Sequence, residues 1–267
     1  MKKAAMGLVA LVLFIAVGSA HGLTSAATDH GVTFTATGPG NAPGKTLDAS
    51  ATFVISNLDL IVYLSNTGTF DPSVPADILT SIFFKIDGDP ALTPVSAQLG
   101  PDSSVIAHPL PLGFDGDVGS EWAYGNDLAN TKRDAKAGNV FEGISSVGFK
   151  WFKANDLFPG EKLRKTGHPG GVDFGITTIN DLYGNDTKGL KNQGLIQAEA
   201  IFTLADLPQG FEYTDISNVT FQYGANLKQP DILGEVIAQI PEPSTISLVA
   251  AGLLGALTLA RRRMLRR

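Results

Sequence analysis

The stretch Asn57-Leu58-Asp59-Leu60-Ile61-Val62-Tyr63-Leu64 sets Leu58, Leu60, Val62 and Leu64 on one parity, with Asn57 and Asp59 on the other. Alternation with period two sends successive side chains to opposite sides of an extended strand. The pattern recurs along the chain. Ile82, Phe84 and Ile86 share a side, with Lys85 opposite. Val147, Phe149 and Trp151 alternate with Gly148 and Lys150. Ala198, Ala200, Phe202 and Leu204 alternate with Gln197, Glu199 and Thr203, and Val219, Phe221 and Tyr223 with Asn218, Thr220 and Gln222. Clusters of Gly, Pro, Asn and Asp punctuate these runs, which therefore read as strands joined by turns.

One apolar row per strand is the signature of antiparallel sheets with one buried face. The expected fold is all-β, an antiparallel β-sandwich over residues 21–240, with a jelly roll as one form it can take. Long helices are not evident. Pro75-Ala76-Asp77-Ile78-Leu79 suits a single helical turn, because proline fits a first-turn position. The segments 38–44, 101–143 and 154–194 read as loops or insertions.

The two ends differ from this body. Met1-Lys2-Lys3 precedes 14 uncharged residues, Ala4 to Val17, and then Gly18, Ser19 and Ala20. A basic start, a short apolar core and small exit residues predict a signal peptide over 1–20. At the other end Pro241-Glu242-Pro243 leads into 17 uncharged residues, Ser244 to Ala260. As a helix that span would reach about 25 Å, near the lower limit for crossing the hydrocarbon core. It is followed by Arg261, Arg262, Arg263, Arg266 and Arg267. Arginine resists translocation, so this terminus is expected to stay in the cytoplasm while the body goes out. Pro241 and Pro243 disfavour helix and hold their neighbours extended, which suits a protease substrate, with Glu242 as a charged handle.

The order Pro-Glu-Pro, apolar span and arginine cluster over 241–267 resembles the PEP-CTERM sorting signal. The resemblance implies processing by exosortase, an integral-membrane cysteine peptidase, after a transient stay in the inner membrane. It implies delivery to the outer surface or matrix of a Gram-negative cell that makes exopolysaccharide. The body also resembles a subfamily of exosortase-dependent surface proteins. That likeness rests on Pro75-Ala76-Asp77-Ile78-Leu79-Thr80, Asp156-Leu157-Phe158-Pro159-Gly160, Pro169 to Ile176, and Ile216 to Gly224. It implies location and architecture and carries no enzymatic assignment.

Charge and composition narrow the function classes. Residues 21–240 hold 13 Lys and Arg against 25 Asp and Glu, a net charge of −12. Nucleic-acid backbones and anionic lipids need clustered positive charge, so neither is an expected partner. There is no cysteine, which removes thiol nucleophiles and thiolate metal sites. The chain lacks Gly-x-Ser-x-Gly, His-Glu-x-x-His and Walker patterns. No catalytic residue is assigned, and a non-enzymatic surface or matrix protein is the expected class.

Weaker chemical signals remain. Asp87-Gly88-Asp89 and Asp115-Gly116-Asp117 offer oxygen ligands of the kind Ca²⁺ takes, although Asp-Gly is also a common turn pair. Turns are the favoured reading of both. Trp122 and Tyr124 lie in a loop-like region and are the candidates for stacking on sugar rings, the basis of an alternative carbohydrate-binding role. Glu121, Glu142 and Asp173 are candidate acids for glycoside hydrolysis, which needs two at a set separation. Cleavage after Ala20 would place His21 at a new amino terminus, a nitrogen-rich pattern that copper favours.

Overall fold

The computed structural model describes residues 30–41, 44–126, 142–147, 157–163, 172–181, 189–190, 192–227, 229 and 231–240. The expected signal peptide, the apolar span at 244–260, Phe149, Trp151, His21 and the 241–267 signal lie outside the described residues. Among the described residues, no helix is long and apolar enough to cross a membrane.

Two sheets share one core. The first contains β1 (His30–Pro39), β2 (Thr46–Ser56), β3 (Asp59–Asn66), β5 (Thr93–Leu99), β11 (Glu199–Ala205) and β14 (Glu235–Ile240). Its order is β14-β1-β2-β3-β11-β5, antiparallel throughout. The second contains β4 (Leu79–Ile86), β6 (Val105–Ile106), β7 (Ala123–Gly125), β8 (Glu142–Ser145), β9 (Gly175–Thr177), β10 (Leu195–Gln197), β12 (Ile216–Tyr223) and β13 (Asp231–Leu233). Its order is β13-β12-β4-β9-β10-β6, with β8 also paired to β4 and β7 to β8.

The first sheet follows the alternation in the sequence. Leu60, Val62 and Leu64 of β3 are fully buried, as are Ala200, Phe202 and Leu204 of β11. Leu58 departs from its row and is 47% exposed, because the chain turns there with Asn57 at φ +58°. Ala49 and Ala51 on β2 keep the inner face low, which leaves room for large rings. Phe53 of β2 meets Phe84 of β4 edge-on at 5.1 Å between ring centroids, joining the two sheets. Edge-to-face contacts of this kind add to the burial of the rings themselves. The two layers around one core are the arrangement of a sandwich.

The second sheet corrects two expectations. It is not purely antiparallel, since β9 and β10 run parallel. Its central strand β4 is also buried on both faces. Phe83 and Ser81 are as inaccessible as Ile82 and Phe84. The outer face carries paired polar groups, such as the Ser81 and Ser145 hydroxyls at 2.6 Å and Thr80 Oγ1 donating to the Gly224 carbonyl at 2.8 Å. Buried polar groups need such partners, and here they are supplied across strands. The jelly-roll expectation also meets a difference. β1, β2 and β3 are successive hairpin neighbours in one sheet, whereas successive jelly-roll strands alternate between sheets.

Helical structure among the described residues is confined to short 3₁₀ turns, at Pro75–Asp77, Gly119–Glu121 and Tyr213–Asp215. The first is the turn anticipated from Pro75. Asp77 is buried, and its Oδ2 accepts from the Ser73 and Val74 amides at 3.0 and 3.3 Å. Its Oδ1 accepts from Asn41 Nδ2 at 3.2 Å. Asp77→Ala would strip acceptors from these donors, so urea unfolding should show a loss of about 1–3 kcal/mol. An unchanged midpoint would mean that water replaces the carboxylate without loss.

Candidate functional site

The functional signal in the sequence begins where the described chain stops, so the site is built from the strand that leads into it. β13 and β14 are edge strands of different sheets, and Gly234 alone separates them. Gly234 donates to the Val219 carbonyl at 2.8 Å. A Cβ there would stand 2.9 Å from Phe221 and 3.4 Å from Phe34, so only glycine lets the chain cross between the layers without displacing a ring.

After this crossing, β14 pairs with β1 from Thr35↔Glu235 to Gly31↔Ile240. The register slips once, between Thr33 and Phe34, which leaves Ile237 as the extra residue of a bulge. β14 buries little. Val236 is 52% exposed and Ile237 64%. Gly31 is required at the far end of the pairing, because a Cβ would stand 2.1 Å from the Phe53 carbonyl oxygen. The next residue after Ile240 is Pro241. Proline has no amide hydrogen, so it cannot extend the ladder as a donor. The paired strand thus runs directly into Pro241-Glu242-Pro243 with no spacer. Those three residues and Arg261, Arg262, Arg263, Arg266 and Arg267 lie outside the described residues.

The other candidates are placed by the body. Trp122 and Tyr124 are corrected from exposed to buried, at 0% and 2% exposure. Tyr124 lies on β7, and the Trp122 carbonyl accepts from the Phe158 amide at 3.1 Å. The Trp122 ring packs on Phe202 at 4.8 Å, and Phe158 packs on Phe202 at 5.4 Å. Neither Trp122 nor Tyr124 offers a face to a sugar.

Asp87, Asp89, Asp115 and Asp117 occupy turns. Gly88 and Gly116 take φ +86° and +95°, and Asp89 itself takes +46°. Asp87 accepts from Lys85 Nζ at 2.7 Å. Asp115 Oδ1 accepts from the Asp117 amide at 3.1 Å, and Asp117 Oδ1 from the Gly119 amide at 2.8 Å. Among the described residues, no three Asp, Glu or His side chains gather as a metal-binding group.

Glu121, Glu142 and Asp173 are all buried. Glu121 Oε1 accepts from the Leu163 amide at 2.9 Å. With the Gln193 side-chain amide turned so that its nitrogen faces Asp173, that amide donates to the Asp173 carboxylate. Glu142 is the unusual one. It lies on β8 opposite Phe84, and the Tyr124 hydroxyl donates to its Oε2. Burial is the main cause that pushes the Glu142 carboxyl up to about 8, against the pull of the Tyr124 bond, with Asp89 adding like-charge repulsion. Burial and the neighbouring Glu142 push the Tyr124 phenol far above its ordinary range. Burial thus favours the protonated form of this carboxyl, whose Oε2 accepts from the Tyr124 hydroxyl while its buried Oε1 has no hydrogen-bond partner among the described residues. In the sequence Glu142 falls at the end of the 101–143 stretch that reads as a loop, with nothing to indicate its partners.

Comparison with known proteins bears on the chain's end. Residues 239–263 match the family model described as the PEP-CTERM protein-sorting motif. The match starts at Gln239, inside β14, and does not extend into the rest of the sandwich. No curated protein and no solved structure matches the chain.

Proposed function

Because this chain carries the PEP-CTERM sorting motif, the mark of an exosortase-dependent surface protein, we propose that it is a non-enzymatic component of the cell surface or extracellular matrix. In this reading a signal peptide exports the body, and the apolar span and its arginines hold the tail in the inner membrane. Exosortase then cuts at or near Pro241-Glu242-Pro243 and frees the acidic body for the outer surface. Association with exopolysaccharide and a biofilm role rest on the family resemblance alone. The role calls for no cofactor.

One observation carries the reading. Pro241-Glu242-Pro243 follows directly on Ile240, the last residue of β14, so a cut at those residues leaves the described sandwich whole. Among the buried acids, Glu121 accepts from the Leu163 amide and Glu142 Oε2 from the Tyr124 hydroxyl, while Glu142 Oε1 has no hydrogen-bond partner among the described residues. Burial of Trp122 and Tyr124 removes the aromatic basis of the carbohydrate-binding alternative.

Intact-mass analysis of the protein recovered from the cell surface should give a C-terminus close to Pro241. A strain lacking exosortase should retain the full tail. Finding the arginine cluster on the surface form would defeat the proposal.

A further inference from the structure

We propose that β14 is released from β1 when the sorting signal is processed. The last strand then serves first as part of the protease's substrate and afterwards as the edge of the mature fold. This inference rests on the reading that exosortase cuts this chain.

Three observations lead to it. The first is the missing spacer. Ile240 is still paired with Gly31, and Pro241 is the next residue. Proteases that read an extended substrate do so largely through backbone hydrogen bonds, as in strand addition. Pro241 and Pro243 have no amide hydrogens to offer. Donors on the N-terminal side of the motif must therefore come from Ile240 and the residues before it. In the folded body alternate amides of those residues are committed to the β1 ladder, and β1 occupies that side of the strand. The matched sorting motif also reaches back to Gln239, within that ladder.

The second observation is how weakly β14 is held. It has one neighbour in its sheet, and their pairing is interrupted by the bulge. β1, by contrast, pairs with β2 without interruption from His30↔Ile55 to Pro39↔Thr46. The third is that Glu235 to Gln239 are all exposed, so separating β14 uncovers little apolar surface. Edge strands with few buried contacts open locally at low free energy, while the core stays closed.

A cross-strand lock tests this in the full-length chain in its own cells. The natural chain has no cysteine, so two introduced cysteines have only each other. Thr33↔Ala238 and Val32↔Gln239 are consecutive directly opposed pairs. Such pairs alternate between narrow and wide spacing, so one of the two suits a disulfide. Thr33→Cys with Ala238→Cys, and Val32→Cys with Gln239→Cys, are each followed by intact mass and by thiol labelling.

The variant that forms its disulfide should accumulate the uncut precursor, with processing reduced at least tenfold. Adding dithiothreitol should restore cutting, which separates the lock from any folding defect. A Gly-Ser spacer between Ile240 and Pro241 should also restore it with the disulfide intact. Normal processing of a fully oxidised variant would overturn the release of β14. A reduced and wild-type chain that also stays uncut would overturn the exosortase reading itself, and this inference with it.

Discussion

Trp122→Ala should destabilise the domain by about 3–5 kcal/mol, the range found when a large buried ring is deleted from a core. The indole is fully buried and packs on Phe202, which Phe158 also contacts. Phe202 belongs to the first sheet, and Trp122 immediately precedes β7 of the second. Removing the indole would open a cavity between the two layers, which the surrounding strands can fill only in part. A ring displayed on a surface loop would behave differently, because exposed substitutions stay within about 0.5 kcal/mol. Urea unfolding of the variant decides between the two. Trp122→Phe should lose less, since it keeps most of the ring and removes an indole N–H with no acceptor among the described residues. A wild-type midpoint for Trp122→Ala would mean that the ring is not part of the core.

Glu142→Gln should change how stability depends on pH. Burial raises the folded-state value of Glu142 from an ordinary 4.5 to about 8. The folded state thus holds a proton that the unfolded state gives up, between these two values. The stabilising contribution is complete below about pH 4.5 and is lost as pH climbs through about 8. Each pH unit between the two values is worth about 1.4 kcal/mol, so the decline should amount to a few kcal/mol. Glutamine cannot ionise and keeps an acceptor for the Tyr124 hydroxyl. Its unfolding free energy should therefore vary less between about pH 5 and pH 9, and at the upper end it should exceed that of the wild type. Asp89→Asn should have a smaller effect in the same direction, because it removes the like charge that adds to the rise. Parallel pH profiles for wild type and Glu142→Gln would show that the carboxyl is already ionised and compensated in the fold.

The first sheet was readable in the sequence because its strands are long and expose one face. β3 and β11 show their buried rows as plain alternation. The second sheet was only partly readable. β4 and β12 announced one face, but their other face is covered as well, and periodicity carries no trace of that covering. β7, β8, β9 and β10 are three or four residues long, and β7, β8 and β9 fall wholly or partly within stretches that read as loops. Their strand character comes from partners distant in sequence rather than from local propensity. Trp122 and Tyr124 were misplaced for the same reason, since the packing of Phe158 and Phe202 near them is a tertiary fact. The Tyr124–Glu142–Asp89 centre was illegible because its three members are far apart in the chain. The sorting motif was legible because it is linear, and a membrane-bound reader needs only residue order. What the sequence could not supply was its direct continuity with β14.

The pairing of Gly31 with Ile240 joins residues about 200 positions apart, and contacts of such separation form late. β1 can zip to β2 as soon as both have emerged, while its other flank waits for Glu235 to Ile240. During that interval the flank is a row of unsatisfied amides and carbonyls, the kind of template on which chains stick to one another. The strand that shields it is the final piece before Pro241, so the time a nascent molecule spends adhesive is set by how fast its own C-terminal end is delivered.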